Sequence, residues 1–374
     1  SPLEYMCVQI KLLNLCASSK GPNPNDILRV MKQMIEPPSN EAVASSIHVL
    51  RELNALDQDN NLTPLGQHLA QIPVGNVRIS KLLLYGAIFN CLTPTLIICA
   101  ILSARPIFYS PVDRRDEANS AKLKLALSTS DLLTAFNAFR QWERLRKRSG
   151  NRMAREFCDE NFLSWNILEN VAGLKKQFRG HLMNAGFVDL DDPGQALESN
   201  SDDLKVLQAV ICAGLYPNVL SVVHPETEYV DMSHGTIAKE HKSRKIKFFP
   251  KRPGGRIFLH PSSVNFSCTS FSSPWLVYLQ KMESHKVYVY DTTMVSPYAL
   301  LLFGGKISID HNLQHIIVDE WIRFEAPGKI AVYVRELREC LDKLLLQKIR
   351  NPEIDIGEST VVEGILRLIK TDGL

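Results

Sequence analysis

Apolar residues recur at helical spacing through the first half of the chain, at every second position from about residue 216, and at helical spacing again near the end. The pattern is clearest over residues 40–90. Val43, Ile47, Leu50 and Leu53 mark one face of an amphipathic helix, and Asn40 is its expected N-cap. Asp57-Gln58-Asp59-Asn60-Asn61 is a turn signal at the centre of the segment 55–62. Thr63-Pro64 then starts a new helix, a hydroxyl cap followed by proline at the first helical position. Helix, small hairpin, helix is the pattern of a winged-helix domain, and Ile72-Pro73 closes it. Upstream, Leu3–Leu15 carries Cys7, Ile10 and Leu13 on one side, residues 20–24 break that helix, and Pro24–Ile35 reads as a second one. These elements make residues 1–72 one winged-helix domain.

Residues 73–186 read as a helical bundle with short connections. Its helices are Val77–Phe89, one capped by Thr93-Pro94 and running to Leu102, the charged and exposed Asp113–Leu127, Leu132–Arg148, Arg152–Phe162 and Ile167–Ala185. Residues 187–203 hold six acids, no Lys or Arg, and Pro193-Gly194, and so read as a solvated loop. With the short apolar helix Leu204–Leu215, this loop forms a linker over 187–215. Over 216–327 the period is two. Val219–Val223, Ile246–Phe249, Arg256–His260, Trp275–Lys281, Lys286–Tyr290 and Lys306–Ile309 are expected strands, with Trp321–Phe324 a further one. Short strands between Gly-, Pro- and Ser-rich turns suit a small antiparallel β-barrel such as an OB-fold. Residues 328–374 supply two C-terminal helices, Lys329–Ile349 and Thr360–Ile369, separated at Asn351-Pro352. The expected fold class is therefore multidomain α+β.

Composition narrows the function classes. A chain of 374 residues with 45% hydrophobic content has material for several cores. The net charge of +3 is too small to indicate a nucleic-acid partner by itself. Eight scattered cysteines without a CxxC pair are expected to be reduced thiols, not a zinc or disulfide framework. The longest apolar run, Leu92–Leu102, is too short to span a bilayer and contains Thr93-Pro94. With no leader preceding Ser1, a soluble intracellular protein with no membrane partner is expected. Ser1 stands directly before a helix, which suggests a piece of a longer polypeptide.

Catalytic signatures are missing. No GxxxxGK[ST] loop occurs; Gly304-Gly305-Lys306 is followed by Ile307 and falls between strands. Asp319-Glu320-Trp321 lacks the surrounding βαβ pattern of a nucleotide site and reads as a turn at a barrel edge. No GxSxG, HExxH or spaced carboxylate pair stands out, and His181, His224, His234 and His241 are scattered. No catalytic, metal or cofactor residue is assigned.

Basic clusters are more informative. Lys239, Lys242, Arg244, Lys245, Lys247, Lys251, Arg252 and Arg256 stand against one acid, Glu240, with Phe248, Phe249 and Phe258 among or beside them. Cations along a backbone with rings for base stacking are what a single strand needs on a barrel. A solvated hairpin with its rings in the barrel core accounts for the same residues. Arg140, Arg144, Arg146, Lys147 and Arg148 form a second cluster, read as a helix C-terminus complementing its dipole. Lys175, Lys176 and Arg179 share one helix side, as a solvated face also would.

The order of parts and several strings resemble the C-terminal half of DEAH-box (DEAH/RHA) RNA helicases. The strings are PPSNEAV at 37–43, LNALD at 53–57, LTPLGQHLA at 62–70, NFL at 161–163 and AVICAGLYPNV at 209–219. HPSSVN at 260–265, VSPYALLLFGG at 295–305 and DEWIRFEAPGKIA at 319–331 continue the match, which covers nearly the whole chain. The resemblance implies a ratchet-like role for the bundle and RNA handling for the region. It also implies two RecA-like motor domains, expected before Ser1, that would carry ATP and Mg. No ATP-binding residue falls in this chain, and no activity is expected of it alone. Carried over, His260, Ser262 and Ser263, with the strands around Lys281, Lys286, Tyr288 and Tyr290, are the RNA-facing candidates. Lys175, Lys176 and Arg179 correspond to the family's basic bundle helix, whereas Lys245 and Lys247 rest on charge alone. The nearest subgroup by these strings is the large cytoplasmic members, so a place in the cytoplasm or nucleus and a link to translation are expected. Two readings follow: an accessory region guiding single-stranded or structured RNA, or a scaffold docking a ribosomal or activator protein through the barrel and the helix Lys329–Ile349. A self-sufficient enzyme is the third.

Overall fold

The computed structural model describes residues 3–16, 26–189, 196–225, 229–232, 235–238, 245–251, 254–357 and 359–373. The expectations for Pro193-Gly194, His234, Lys239, Glu240, His241, Lys242, Arg244 and Arg252 lie outside these residues.

Helices α1 (Leu3–Leu12), α2 (Asp26–Met31), α3 (Asn40–Glu52) and α4 (Pro64–Gln71) build the first unit. Ser39 caps α3, its hydroxyl accepting the Ala42 N–H at 3.2 Å, so Asn40 is the first helical residue and not the cap. Helix α2 stops at Met31, short of the expected Ile35. Between α3 and α4, a single bridge pairs Leu56 with Leu62, and the Asp57 carboxylate accepts the N–H groups of Asp59 (2.9 Å) and Asn61 (2.8 Å). Thr63 caps α4 as its sequence implies, accepting the Gly66 N–H at 2.9 Å.

The bundle comprises α5 (Val77–Ile88), α6 (Leu92–Ser103), α7 (Arg115–Lys124), α8 (Asp131–Glu160) and α9 (Trp165–Asn184). Helices α5 and α6 cross closely at Gly86, where a Cβ would lie 2.4 Å from the Thr95 Cβ. Thr93 does not cap α6. Its N–H and hydroxyl donate to the Glu198 carboxylate, at 3.0 and 2.6 Å, placing a distant negative charge at the helix N-terminus. The acidic linker is therefore not solvated throughout: Asn200 is buried and donates to the Phe89 carbonyl at 3.0 Å. The helices expected over 132–148 and 152–162 meet within α8 at Gly150, whose φ of 80° breaks the helix. The basic end of the first is tied down by more than a dipole. Arg146 pairs with Glu169 at 2.9 Å and lies over the Trp142 and Trp165 rings, and Arg140 pairs with Asp202 at 3.4 Å.

Helix α10 (Leu204–Leu215) packs on α5 and leads into strands β1 (Val219–Val223), β2 (Tyr229–Met232), β3 (Gly235–Ala238), β4 (Lys247–Phe249), β5 (Phe258–Leu259), β6 (Trp275–Val277), β7 (Gln280–Glu283), β8 (Val287–Tyr290) and β9 (Thr293–Met294). A four-stranded sheet runs β4-β1-β6-β9 and a three-stranded one β5-β8-β7, with a bridge from Phe248 to Ile257 joining them. The pair β5–β8 is parallel, and the other named pairs of these two sheets are antiparallel. The single strand expected over 275–281 divides into β6 and β7. The hairpin β2–β3 and the strand β9 were not expected.

Helix α11 (Pro297–Phe303) was likewise not anticipated; Ser296 caps it, with Pro297 in its first turn. Strands β10 (Ile307–Asp310), β11 (His315–Val318) and β12 (Ile322–Glu325) then form a sheet of their own. Lys306–Ile309 and Trp321–Phe324 therefore do not extend the barrel sheets; they pair through β11, which the sequence reading lacked. Asp319 and Glu320 occupy the left-handed turn of that meander, with φ of 48° and 68°. Asp319 accepts the Lys306 N–H at 2.9 Å and the Tyr216 hydroxyl, the work of a structural turn. Helices α12 (Gly328–Arg350) and α13 (Thr360–Thr371) close the chain.

One apolar cluster runs from α1 to α13, so the winged helix, bundle and C-terminal helices share a core. The barrel holds a second, with Leu220, Phe248, Leu259, Leu276 and Val289 at its centre.

Candidate nucleic-acid interface

The period of two in β5 and β8 sorts the side chains of the three-stranded sheet. Leu259 and Val289 pair in register and are buried in the barrel core. Their neighbours therefore face outward: Phe258 beside Tyr288 and Met282, then His260 beside Tyr290 and Gln280. The rings form a row. Phe258 lies 6.1 Å from Tyr288, Tyr288 lies 6.0 Å from His260, and His260 stacks on Tyr290 at 4.2 Å and 27°.

Cations border this row. The Lys286 ammonium and the Arg256 guanidinium each lie 4.7 Å from the Phe258 ring centre. With Phe266, Tyr288 and the barrel wall they line a cleft of about 430 Å³. At the other end, Tyr290 lines a second cleft, of about 250 Å³, with Ser262, Asp291 and Lys122 of α7. The Lys122 ammonium donates to the Ser262 carbonyl at 2.5 Å and sits 5.0 Å from the Phe108 ring. Burial pulls the Lys122 ammonium below its ordinary value, against the pull of Asp131 and Asp291. Burial, helped by the Lys122 charge and opposed by Asp131, also lowers His260, which favours its neutral ring.

A buried carboxylate fixes this platform to the bundle. Asp131, in the first turn of α8, accepts from the Ser263 hydroxyl (2.7 Å), the Val264 N–H (2.8 Å) and both the N–H and hydroxyl of Thr292 (2.9 Å each). The Asp131 N–H donates to the Thr292 carbonyl at 2.8 Å, and the Ser130 and Thr293 hydroxyls bond at 2.7 Å. The segments that follow β5 and β8 are thereby held to the start of α8. Burial and the neighbouring Asp131 charge raise Asp291 to about 6, with Lys122 opposing.

The structure divides the sequence candidates. His260, Tyr288, Tyr290 and Lys286 come together, and Ser262 joins them by bonding the His260 Nδ1 at 2.7 Å. Ser263 is buried, and its hydroxyl serves Asp131. Lys281 is in register with the inward Val289, and pairs with Glu283 at 2.9 Å. Lys245 and Lys247 are exposed, with Ile246 and Phe248 of the barrel core between and beside them. On α9, Lys175 pairs with Glu143 of α8 at 3.1 Å, Lys176 is exposed and Arg179 half-buried. Neither cleft beside the ring row is lined by these three. Lys122, Phe108, Phe266 and Asp131 were missed. No local signal marks Lys122, which sits on a helix that reads as merely charged.

Four family models match in chain order: the winged-helix helicase associated domain (HA2) at residues 46–74, its ratchet-like part at 76–164, the oligonucleotide/oligosaccharide-binding (OB)-fold at 207–307, and the C-terminal domain in RNA helicases at 314–371. The chain is 42% identical over 381 residues to the ATP-dependent DNA/RNA helicase DHX36 of Homo sapiens and 42% identical over 382 residues to that of Bos taurus. Each alignment covers 99% of this chain and 35% of the relative. It is also 34% identical over 378 residues to the ATP-dependent RNA helicase DHX29 of Homo sapiens, covering 99% of this chain and 26% of that protein. The chain thus spans about a quarter to a third of the length of the curated relatives it matches. By its domain order and these identities, the chain belongs to the DEAH-box RNA helicase family and comprises the helicase-associated, OB-fold and C-terminal domains of such a protein.

Proposed function

We propose that this chain is the RNA-binding accessory region of an ATP-dependent helicase, and that it guides a single strand for motor domains of the same polypeptide. The observation that carries the reading is the row Phe258–Tyr288–His260–Tyr290 with Lys286 and Arg256 beside it. Stacking on rings tolerates any base, and cations follow phosphates without reading sequence. Asp131 supports the reading because it holds the platform at a set position on the bundle, as a guide surface needs. ATP and Mg belong, in this reading, to the motor domains. The relatives are described as helicases of RNA or of DNA and RNA, which agrees with a nucleic-acid partner.

Fluorescence anisotropy with a short oligouridylate tests the proposal. Salt-dependent binding is expected, weakened at least tenfold when Lys286 and Tyr288 are both replaced by Ala, from about 1–3 kcal/mol per stacked base and one lost phosphate contact. Unchanged affinity in that variant would sink it. A second reading, a scaffold for a ribosomal or activator protein, draws on α12, where Ile330 and Tyr333 are 51% and 68% exposed and three residues apart.

A further inference from the structure

A cleft of about 800 Å³ lies between the winged helix, α5, the turn after α11, and α12. Its lining includes two polar side chains of α5 that are more than nine-tenths buried, Lys81 (7% exposed) and Tyr85 (8% exposed). The Lys81 ammonium lies 5.5 Å from the Tyr85 ring centre. Among the described residues, neither the ammonium nor the Tyr85 hydroxyl has a hydrogen-bond partner, and no carboxylate pairs with Lys81. This is the reverse of the Asp131 site, where a buried charge is fully bonded. Both side chains are buried, yet neither polar atom is sealed from solvent: each opens on the cleft, where an anion can take the place of water.

The rim has the same sign. Lys306, Arg335 and Lys343 line the cleft and make no ion pair among the described residues. Of the lining acids, Asp342 is held by Arg338 at 2.9 Å and Glu52 faces His48 at 3.6 Å, which leaves Glu339. Burial, with the Arg338 charge adding to it, lowers Lys81 to about 8, so it still carries its proton at pH 7. The rings here are not a base-stacking surface. Lys81 lies over Tyr85, and Phe89 and Phe303 enclose that ring at 6.1 Å each.

We propose that this cleft binds a compact phosphate-bearing anion, with the Lys81 ammonium and Tyr85 hydroxyl donating to one phosphoryl group and Lys306, Arg335 and Lys343 facing the remaining charge. Tetrahedral phosphoryl oxygens can accept from both floor donors and still project toward the rim, which a planar carboxylate does less well. The bound anion would tie α5 to α12, and so add a polar link between the bundle and the C-terminal helices.

Isothermal titration calorimetry with pyrophosphate at pH 7 is the test, using the chain as it stands. Saturable binding is expected, with a Kd of about 10–100 µM. Lys81→Met, which exchanges a buried charge for an apolar chain of similar length, should weaken it more than tenfold. Tyr85→Phe should weaken it about threefold, and serves alone if Lys81→Met does not fold. Tyr288→Ala should leave pyrophosphate binding unchanged, which separates this site from the proposed strand platform. The proposal is overturned if pyrophosphate gives only heats of dilution, or if folded Lys81→Met and Tyr85→Phe bind as the wild type does. It is also overturned if a hexaglutamate peptide binds where pyrophosphate does not, which would assign the cleft to an acidic segment. Equal weakening of oligouridylate and pyrophosphate by Lys81→Met would place the cleft on the strand's path, and would overturn it as well.

Discussion

Helix α9 and strand β8 carry the same chemistry in sequence and different chemistry in space. Both offer lysines at positions that read as nucleic-acid contacts. On α9, Lys175 faces Glu143 across the helix pair at 3.1 Å and is about 20% exposed, so its charge is engaged in the bundle. Next to β8, Lys286 is exposed, and what it touches is a ring, Phe258. A cation held by a carboxylate gains little by moving to a phosphate, because the move leaves the acid unpaired. A cation over a ring at the edge of a cleft gives up less. A basic residue is a candidate contact only after its nearest acid is known.

The largest expected break in this comparison comes from neither lysine. Asp131→Ala leaves the Val264 and Thr292 N–H groups and the Ser263 hydroxyl without their acceptor, so a loss of roughly 3 kcal/mol of stability is expected. Thermal denaturation measures it, and oligouridylate affinity should fall with it because the platform loses its mount. An unchanged melting temperature would show that the sheet is held elsewhere. Next, Tyr290→Ala should cost about 1–3 kcal/mol of single-strand binding while leaving the melting temperature near wild type. Binding that survives would remove Tyr290 from the strand's path.

The lysines then separate by readout. Lys286→Ala should lower the slope of log affinity against log salt by about one, whereas Lys175→Ala should leave that slope alone and cost roughly 1 kcal/mol of stability. Equal slopes for the two variants would erase the distinction drawn here. The last prediction concerns Asp291 and is read through pH. Its folded value of about 6 lies above the ordinary carboxyl value of about 4, so the folded state holds the proton more tightly. Stability from this group therefore falls as pH rises from about 4 through 6, and the cost is complete above that. Asp291→Asn should melt higher than wild type at pH 7.5, with the gap closing toward pH 4. A gap that does not change with pH would mean the carboxylate carries no burial cost.

Much of the architecture was legible because it rests on local rules. The cap at Thr63, the break near residue 150 and the extent of α10 follow from residues within a few positions of each other. Elements failed where the deciding partner is distant. Thr93 is bonded to Glu198, 105 residues away, and so it is not the cap. The strand near 307 joins β11 and leaves the barrel sheets, because register between strands is a tertiary choice. The same division holds in the candidate site. The resemblance marked Tyr288, Tyr290 and Ser263 alike, but Ser263 turns inward because Asp131 lies behind it.

By itself, then, the sequence determined the order of domains, the position of most helices, the strand that carries Tyr288 and Tyr290, and the kinship with DEAH-box helicases. These depend on short-range periodicity and on strings that can be read without a partner. Which charges are free was decided only by the tertiary structure. Lys122 came to the platform from a helix 140 residues before Ser262, Glu143 took Lys175, and Lys81 was buried without an acid. The physical reason is that a charge takes its meaning from what lies within a few ångströms of it, and those neighbours come from elsewhere in the chain.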